Sequence, residues 1–284
     1  MKGIYTQLEV KSPKKNAFYG FMSKTHFLLS TTYSLMNSRN WFDKLVLYTD
    51  KNSWEHMSVL EELIDEVIFI PNDAVPRECY ATWSAGKIWV LSQQNEPYVH
   101  LDNDAYVLTP KIIIEAKSKP IICHIKEPSL LHKDGYVRQF KIIEKYGTEE
   151  LPGFEHDFNH HITSYATGVV GGQSWDILQE IFGNVMNFLH NKKPVEDLAT
   201  ALEQGYFAMF CRGNNIDVEP MLLENMNYDK CWREMRRTGY IHLVGGLKKG
   251  LFLGEDLVKK YAEEKVLMAY PHIYKKIINL GLED

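Results

Sequence analysis

Residues 97–104 read Pro-Tyr-Val-His-Leu-Asp-Asn-Asp, a short apolar run followed directly by two acidic residues with one position between them. The apolar part is typical of a buried parallel strand, and the polar part begins where that strand ends. In open α/β sheets, ligands bind outside the carboxyl ends of the strands. The stretch therefore predicts a ligand site at the edge of a sheet, built around Asp102 and Asp104.

Strand-like and helix-like segments alternate on both sides of this stretch. Further strands are predicted at residues 3–8, 44–50, 67–70, 121–125, 166–172 and 217–222. Helices are predicted at residues 24–37, 53–63, 82–94, 137–146, 174–189, 195–210 and 255–282. Ser53 is the expected N-cap of the helix over 53–63. This alternation predicts an α/β fold with a mostly parallel sheet and right-handed crossovers.

The size and composition fit one large α/β domain. The chain has 284 residues, of which 45% are hydrophobic and 24% charged, the ordinary balance of a soluble globular protein. The segment 126–163 interrupts the strand–helix alternation, so it is predicted to be an excursion from the sheet. The predicted organisation is a main α/β domain over residues 1–250, which contains that excursion, followed by a helical C-terminal tail over residues 251–284.

The charge and the cysteines exclude several classes of protein. A net charge of −5 argues against a general nucleic-acid binder, which would usually carry a basic surface. No apolar stretch approaches the roughly 20 residues that span a bilayer, and the first residues lack the apolar segment of a signal peptide. The four cysteines are scattered without a CxxC pair, which indicates reduced thiols. The expected location is the cytoplasm, with peripheral contact at the inner membrane face.

Asp102 and Asp104 have the chemistry of a metal site. Residues i and i+2 of an extended segment point to the same side, so the two carboxylates are expected to converge. Two carboxylates that close repel each other unless a cation lies between them, and oxygen ligands favour Mg²⁺ or Mn²⁺. The alternative is an ordinary surface turn, in which Asp and Asn are common.

A second motif lies far downstream, where residues 241–250 read Ile-His-Leu-Val-Gly-Gly-Leu-Lys-Lys-Gly. A histidine after a short apolar run can supply a nitrogen ligand to a metal such as Mn²⁺. The glycines let the backbone approach a ligand closely, and a lysine can place its ammonium on a diphosphate. Taken alone, the motif is equally typical of a solvated glycine-rich loop.

Together the two motifs resemble the retaining nucleotide-sugar glycosyltransferases of family 8, which include glycogenin and bacterial lipooligosaccharide galactosyltransferases. The resemblance rests on the strand followed by DxD and on a downstream His-x-x-Gly-x-x-Lys, here His242, Gly245 and Lys248. It implies a GT-A-like fold, Mn²⁺ or Mg²⁺ as cofactor, a UDP-sugar donor and a carbohydrate or glycolipid hydroxyl as acceptor. The implied activity is that of a hexosyltransferase that retains the configuration of the sugar.

The resemblance also implies roles for individual residues. Asp102, Asp104 and His242 are the implied metal ligands. The implied contacts to the nucleotide-sugar come from Thr6, Gln7, Lys87, Asn103, Gly245 and Lys248. Glu203 and Gln204 parallel an Asp-Gln pair near the reacting sugar and are the candidate catalytic residues. For Lys87 the alternative is an exposed helix lysine, and for the Glu203–Gln204 pair it is a helix surface.

The sequence departs from this family at two points and leaves other functions open. Lys249-Gly250 stands where the family has Pro-Trp, and the Asn before Gly168 is missing. A nucleotidyltransferase of the same fold, or a non-catalytic carbohydrate-binding relative, remains an alternative. A haloacid-dehalogenase-type phosphatase is excluded because Tyr106 lies where that motif needs Thr or Val.

Two surfaces are predicted to contact other molecules. The excursion 126–163 is expected to bind the acceptor, because function concentrates in long segments carried by a rigid sheet. Tyr136, Phe154, His156 and Asn159 are the side chains expected to contact the carbohydrate there. In the C-terminal tail, pairs of lysines alternate with tyrosines, and we expect contact with an anionic membrane surface; the alternative is a solvated helix face.

Overall fold

The structure is a computed structural model that describes residues 1–8, 21, 23–128, 133–154, 163–222, 234–235, 237–243, 256 and 258–281. Seven strands form the main sheet: β1 Lys2–Gln7, β2 Lys44–Thr49, β3 Glu66–Phe69, β4 Tyr98–Leu101, β6 Ile121–Pro128, β7 Thr163–Gly172 and β8 Val218–Leu222. Two short strands form a separate antiparallel pair: β5 Ala105–Val107 and β9 Tyr240–His242.

The main sheet has the order β3-β2-β1-β4-β7-β6-β8. Strand β7 is antiparallel to both of its neighbours, and the other pairings in the sheet are parallel. Six strands therefore run in one direction and β7 runs against them. The predicted α/β class with a mixed, mostly parallel sheet is confirmed.

Helices cover both faces of this sheet. They are α1 Lys24–Ser38, α2 Lys51–Met57, α3 Ala85–Ser92, α4 Lys111–Ser118, α5 Lys133–Tyr146, α6 Trp175–Lys192, α7 Tyr206–Gly213, α8 Glu264–Ala269 and α9 Pro271–Gly281. Short 3₁₀ helices occur at Ser58–Leu63 and Arg77–Ala81, and turns of π-helix occur at Ala201–Gly205 and Lys259–Glu263.

Each face of the sheet has its own hydrophobic core. In β1, Ile4 packs on the face that α3, α6 and α7 cover, whereas Tyr5 packs on the face that α1 covers. Because successive side chains of a strand point to opposite faces, a strand buried on both faces is apolar throughout. This burial explains the apolar run Leu45–Tyr48 of β2, in which all four side chains are buried.

The start of α2 differs from the prediction. Asp50, not Ser53, is the N-cap: its backbone is extended, and its Oδ1 accepts a hydrogen bond of 2.8 Å from the amide of Ser53. The helix begins directly where β2 ends and gives way to 3₁₀ geometry at Ser58. The prediction was wrong because Asp and Ser are both good caps, and only the end of β2 decides between them.

The C-terminal helices pack on the core that α1 covers. Val258, Ala262 and Val266 lie in that core, as do Ile273 and Ile277 of α9. Among the described residues, no helix is long and apolar enough to cross a membrane. The division of the chain at residue 250 stays a prediction.

Candidate metal and sugar-nucleotide site

The residues after β4 form a tight turn at the carboxyl edge of the sheet. The amide of Asp102 donates to the carbonyl of Gly168 on β7 (3.0 Å), and the amide of Ala105 donates back to the carbonyl of Asp102 (2.9 Å). The two carboxylates thus reach the same place through a turn rather than through an extended segment. Asp104 is buried, whereas the side chain of Asp102 is 30% exposed.

The pairing of β5 with β9 brings His242 to this turn. Ala105 lies opposite His242, and the amide of Leu243 donates to the carbonyl of Asp104 (3.1 Å). His242 Nε2 lies 3.5 Å from Asp102 Oδ2 and 3.3 Å from Asp104 Oδ1. One ligand atom from each of the three residues lies within 4.8 Å of the other two, so together they could hold a metal ion.

The ring of His242 is enclosed on two sides. A Cβ at position 168 would overlap the imidazole, so glycine on β7 is what leaves room for it. The ring of His124, on β6, meets the imidazole edge to face with 4.7 Å between centroids, and the hydroxyl of Tyr240 lies 3.1 Å from His124 Nδ1. His242 is therefore held with its Nε2 toward the carboxylates.

The charges of these groups are strongly coupled. Burial alone would lower the pKa of His242, but Asp104 and Asp102 raise it to about 9. Burial alone would raise the pKa of Asp102, but Lys87 and His242 hold it well below the usual carboxyl value. Without a metal, the imidazolium thus supplies a positive charge between two carboxylates.

Lys87 lies beside the metal-ligand candidates. Its Nζ lies 2.8 Å from Asp102 Oδ1 and 2.9 Å from Glu203 Oε1, and it donates to the carbonyl of Thr167 at 2.6 Å. Burial would lower the pKa of Lys87, but Asp102 and Glu203 raise it. The lysine is only 8% exposed. The exposed-lysine alternative is therefore wrong, and the ammonium links two carboxylates.

Glu203 and Gln204 lie in the π-helical turn Ala201–Gly205, and such turns often occur at functional sites. Glu203 is buried; its Oε1 accepts from the Thr167 hydroxyl, and its Oε2 has no hydrogen-bond partner among the described residues. Gln204 Oε1 accepts from the Tyr136 hydroxyl at 2.9 Å. The helix-surface alternative is wrong for Glu203, which joins the Lys87 cluster.

Thr6 and Gln7 end β1 next to the same turn. Asn103 Nδ2 donates to Gln7 Oε1 at 2.6 Å, and the Thr6 hydroxyl lies 3.0 Å from His100 Nε2. Burial, followed by the charge of Lys87, lowers the pKa of His100 to about 3, so this imidazole is neutral. The buried Gln7 Nε2 and Asn103 Oδ1 have no partner among the described residues.

Other predicted residues are buried elsewhere or lie outside the described part of the chain. Gly245 and Lys248, together with His156 and Asn159, fall outside the described residues. Tyr136 and Phe154 are core side chains, so the expectation that they contact a carbohydrate directly was wrong. Thr167 and His124 also belong to the site, and neither was predicted from the sequence.

The fold and the site define a mixed α/β protein with an Asp-Asp-His cluster at the carboxyl edge of its sheet. The chain belongs to the family of unknown function DUF6734, whose model matches residues 1–280. No curated protein sequence matches it.

Solved structures that are similar to the chain include glycosyltransferases. Apo mouse xyloside xylosyltransferase 1 is 10% identical, with 78% of this chain and 85% of that chain covered and a TM-score of 0.41. The galactosyltransferase LgtC with donor and acceptor sugar analogues is 10% identical, with 74% and 69% covered and a TM-score of 0.39. An active-site mutant of LgtC is 12% identical, with a TM-score of 0.38. These enzymes are of the class that the motifs resemble.

Proposed function

We propose that the protein is a metal-dependent glycosyltransferase that moves a sugar from a UDP-sugar to a carbohydrate or glycolipid hydroxyl, with retention of configuration. The observation that carries the proposal is the cluster of Asp102, Asp104 and His242 at the carboxyl edge of the sheet, where open α/β folds bind their ligands. A diphosphate is an anion, so a site lined with carboxylates would bind it only through a cation.

The donor set suits Mn²⁺ or Mg²⁺. Neighbouring ligands of an octahedral ion with bonds of about 2.1 Å lie about 3 Å apart, and His242 Nε2 lies 3.3 and 3.5 Å from the two carboxylate oxygens. The imidazole nitrogen favours Mn²⁺ over Mg²⁺, because Mg²⁺ is bound almost entirely by oxygen. When bound, such an ion would stabilise the charge that develops on the departing diphosphate.

Lys87 and Glu203 would act next to that ion. The Lys87 ammonium holds Asp102 in its charged form, which keeps the metal ligand deprotonated. Glu203 offers Oε2, which has no hydrogen-bond partner among the described residues, to a ligand in the site. We propose that Glu203 and Gln204 contact the transferred sugar.

The remaining contacts to the donor are proposed for residues at the end of β1, in the turn after β4 and at positions 245 and 248. Thr6, Gln7 and Asn103 would bind the nucleoside, since Gln7 Nε2 and Asn103 Oδ1 lack partners among the described residues. Gly245 and Lys248 would hold the diphosphate, through a bare amide and an ammonium. The excursion 126–163 would carry the acceptor.

A contact between the C-terminal helices and an anionic membrane is also proposed. Leu267 and Met268 are exposed on α8, and the lysines at 259, 265, 275 and 276 are exposed in the same C-terminal part of the chain. Tyr261, Tyr270 and Tyr274 instead pack against the core, so the contact would use the aliphatic side chains. Replacing Leu267 and Met268 by Ser should abolish cosedimentation with phosphatidylglycerol vesicles.

A screen of UDP-sugars tests the proposed activity. Purified protein should release UDP slowly from one of them in the presence of Mn²⁺, and EDTA should stop the release. Asp102→Asn or Asp104→Asn should lower this turnover by about 100-fold or more, as the loss of a few kcal/mol of charge stabilisation would.

Glu66→Gln is the matched control, because it removes one negative charge from the exposed pair of Glu66 and Lys44, at the opposite ends of the strands from the site. It should leave turnover unchanged. Nucleotide affinity that is equal in EDTA and in Mn²⁺ would count against the metal-dependent donor site. Formation of UDP-glucose from UTP and glucose 1-phosphate would instead identify a nucleotidyltransferase.

A further inference from the structure

Helix α5, which lies inside the excursion, packs against the π-helical turn that carries Glu203 and Gln204. The contacts come from Tyr136, Gln139 and Phe140, which share one face of α5 because residues three and four apart are neighbours on a helix. The excursion therefore contacts the turn directly through side chains of α5.

Two of these contacts hold the backbone of the turn. Gln139 Oε1 accepts a hydrogen bond of 2.8 Å from the amide of Ala201, which lies near the start of its helix, where amides lack helical partners. A Cβ at Gly205 would overlap the ring of Phe140, so the helix backbone approaches α5 closely at that point. The backbone position of Gln204 is therefore fixed between two anchored residues.

The third contact fixes the orientation of the Gln204 side chain. The hydroxyl of the buried Tyr136 donates to Gln204 Oε1 at 2.9 Å. A carboxamide can present either its oxygen or its NH₂ group to a ligand. Because Tyr136 engages the oxygen, the NH₂ group is the end that remains, and no described residue accepts a hydrogen bond from it.

The surroundings of Gln204 connect it to the reaction centre. The preceding residue, Glu203, contacts the same Lys87 ammonium as Asp102 does. Gln204 itself is partly exposed, whereas Glu203 and Tyr136 are buried. Gln204 thus directly follows a residue of the charged cluster in the sequence and is less buried than that residue.

We propose that Tyr136 is a positioning residue that makes Gln204 a hydrogen-bond donor to an oxygen of the transferred sugar. The inference rests on the proposed function, because it assigns the sugar half of a UDP-sugar to this amide. It predicts that the Tyr136 hydroxyl affects the affinity for the sugar and not that for the nucleotide. A carboxylate at position 204 can only accept hydrogen bonds, so the bond donated by the amide would be lost.

The test compares the affinity for UDP with that for UDP-glucose and UDP-galactose, by calorimetry in Mn²⁺. Tyr136→Phe removes one hydroxyl, and Gln204→Glu replaces the NH₂ donor with an acceptor. Tyr146→Phe is the matched control: Tyr146 also lies on α5 and donates to a side-chain oxygen, that of Glu196, at 2.8 Å. The melting temperature of each variant reports whether it is folded.

Wild-type protein should bind one of the two UDP-sugars more tightly than UDP. Tyr136→Phe should reduce this preference about 3- to 10-fold and leave the affinity for UDP unchanged, whereas Tyr146→Phe should change neither. Gln204→Glu should reduce the preference at least as much as Tyr136→Phe does. In the double variant the preference should differ less than about 2-fold from that of Gln204→Glu, because the two residues act through the same hydrogen bond.

An unchanged preference in folded Tyr136→Phe would overturn the inference while leaving the proposed function intact. If that variant does not fold, an unchanged preference in Gln204→Glu overturns it equally. A wild-type protein that binds UDP but shows no preference for either sugar also overturns the inference. Absence of Mn²⁺-dependent UDP binding in the wild type would overturn the proposed function, and this inference with it.

Discussion

Gly168 decides whether His242 can reach the two carboxylates. A methyl group at this position would overlap the imidazole ring, and β7 cannot move away because it lies between β4 and β6. Gly168→Ala should therefore displace the ring and weaken Mn²⁺ binding by about 10-fold or more, since crowding of this kind costs about 1–3 kcal/mol. A Mn²⁺ titration followed by electron paramagnetic resonance measures the affinity.

Gly183→Ala is the control for that substitution. A Cβ at position 183, within α6, meets nothing within 4 Å, so alanine should leave Mn²⁺ binding unchanged and favour the helix slightly. Equal Mn²⁺ affinity in the Gly168 and Gly183 variants would mean that His242 is not a ligand in the position described.

Lys87 stabilises the buried carboxylate of Glu203 and the partly exposed carboxylate of Asp102. Glu203 is 1% exposed and Lys87 is 8% exposed, so Lys87→Met would leave buried negative charge without its partner. Breaking a buried ion pair in this way costs about 3–5 kcal/mol, which urea unfolding of the metal-free protein should show. Adding Glu203→Gln should recover part of the loss. Full stability in the single variant would contradict the buried pair.

His242 makes the stability of the metal-free protein depend on pH. Its pKa is raised from 6.5 to about 9 in the folded state, so the folded state binds this proton more tightly than the unfolded state does. The resulting stability is present in full below pH 6.5 and is lost as the pH rises through 9. The rise in pKa corresponds to about 3 kcal/mol.

Urea unfolding in EDTA at pH 6 and at pH 9.5 measures this contribution. Between the two pH values, the free energy of unfolding should fall by about 2–3 kcal/mol more in the wild-type protein than in His242→Gln, because the variant keeps all other titrating groups. Equal losses would show that the imidazolium does not stabilise the carboxylate pair.

At the scale of elements, the N-cap of α2 shows how the end of a strand decides where a helix begins. Asp50 Oδ1 accepts from the amide of Ser53, whereas Ser53 only donates its hydroxyl to Asp50 Oδ2. Asp50→Ala should lower stability by about 1 kcal/mol, and Ser53→Ala should have a smaller effect. Thermal unfolding of both variants measures the difference. The reverse order would favour Ser53 as the cap.

The strands and the acidic turn could be predicted because their signals are local. The run before Asp102 is apolar except for His100 because β4 is buried on both faces, and the turn residues follow it directly. The pairing of Lys87 with Glu203 could not be predicted, because the two residues are far apart in the sequence and each is typical of a helix surface. Only the approach of α3 and the π turn to β7 brings them together.

The identification of His242 from the sequence depended on a resemblance rather than on a physical pattern. A three-residue strand such as β9 has too little periodicity to be predicted, and its partner β5 lies more than 130 residues earlier. The turn Ala201–Gly205 was predicted as ordinary helix, because π geometry has no signal in residue types. Its placement of Glu203 and Gln204 follows from packing against α5.

At the scale of the whole molecule, the candidate site joins distant parts of the chain. Thr6 comes from β1, the acidic turn follows β4, Glu203 follows α6 and His242 ends β9. A ligand held by all of these binds only the folded state, so it should raise the free energy of unfolding. Ligand binding and global stability should therefore be measurable in the same experiment.

Mn²⁺ and UDP together should raise the melting temperature more than the sum of their separate effects. UDP alone meets the charges of Asp102 and Asp104, whereas a cation bound between them would turn repulsion into attraction. At ligand concentrations near 100 times the dissociation constant, the free energy of unfolding rises by about 2.7 kcal/mol. The melting temperature then rises by roughly 5–10 °C for a domain of this size. Asp104→Asn should abolish the extra rise in melting temperature that Mn²⁺ and UDP produce together, and any rise with UDP alone should remain. A cation raises the affinity for UDP only if it contacts both the carboxylates and the diphosphate. If UDP raises the melting temperature equally in EDTA and in Mn²⁺, the nucleotide therefore binds without the metal.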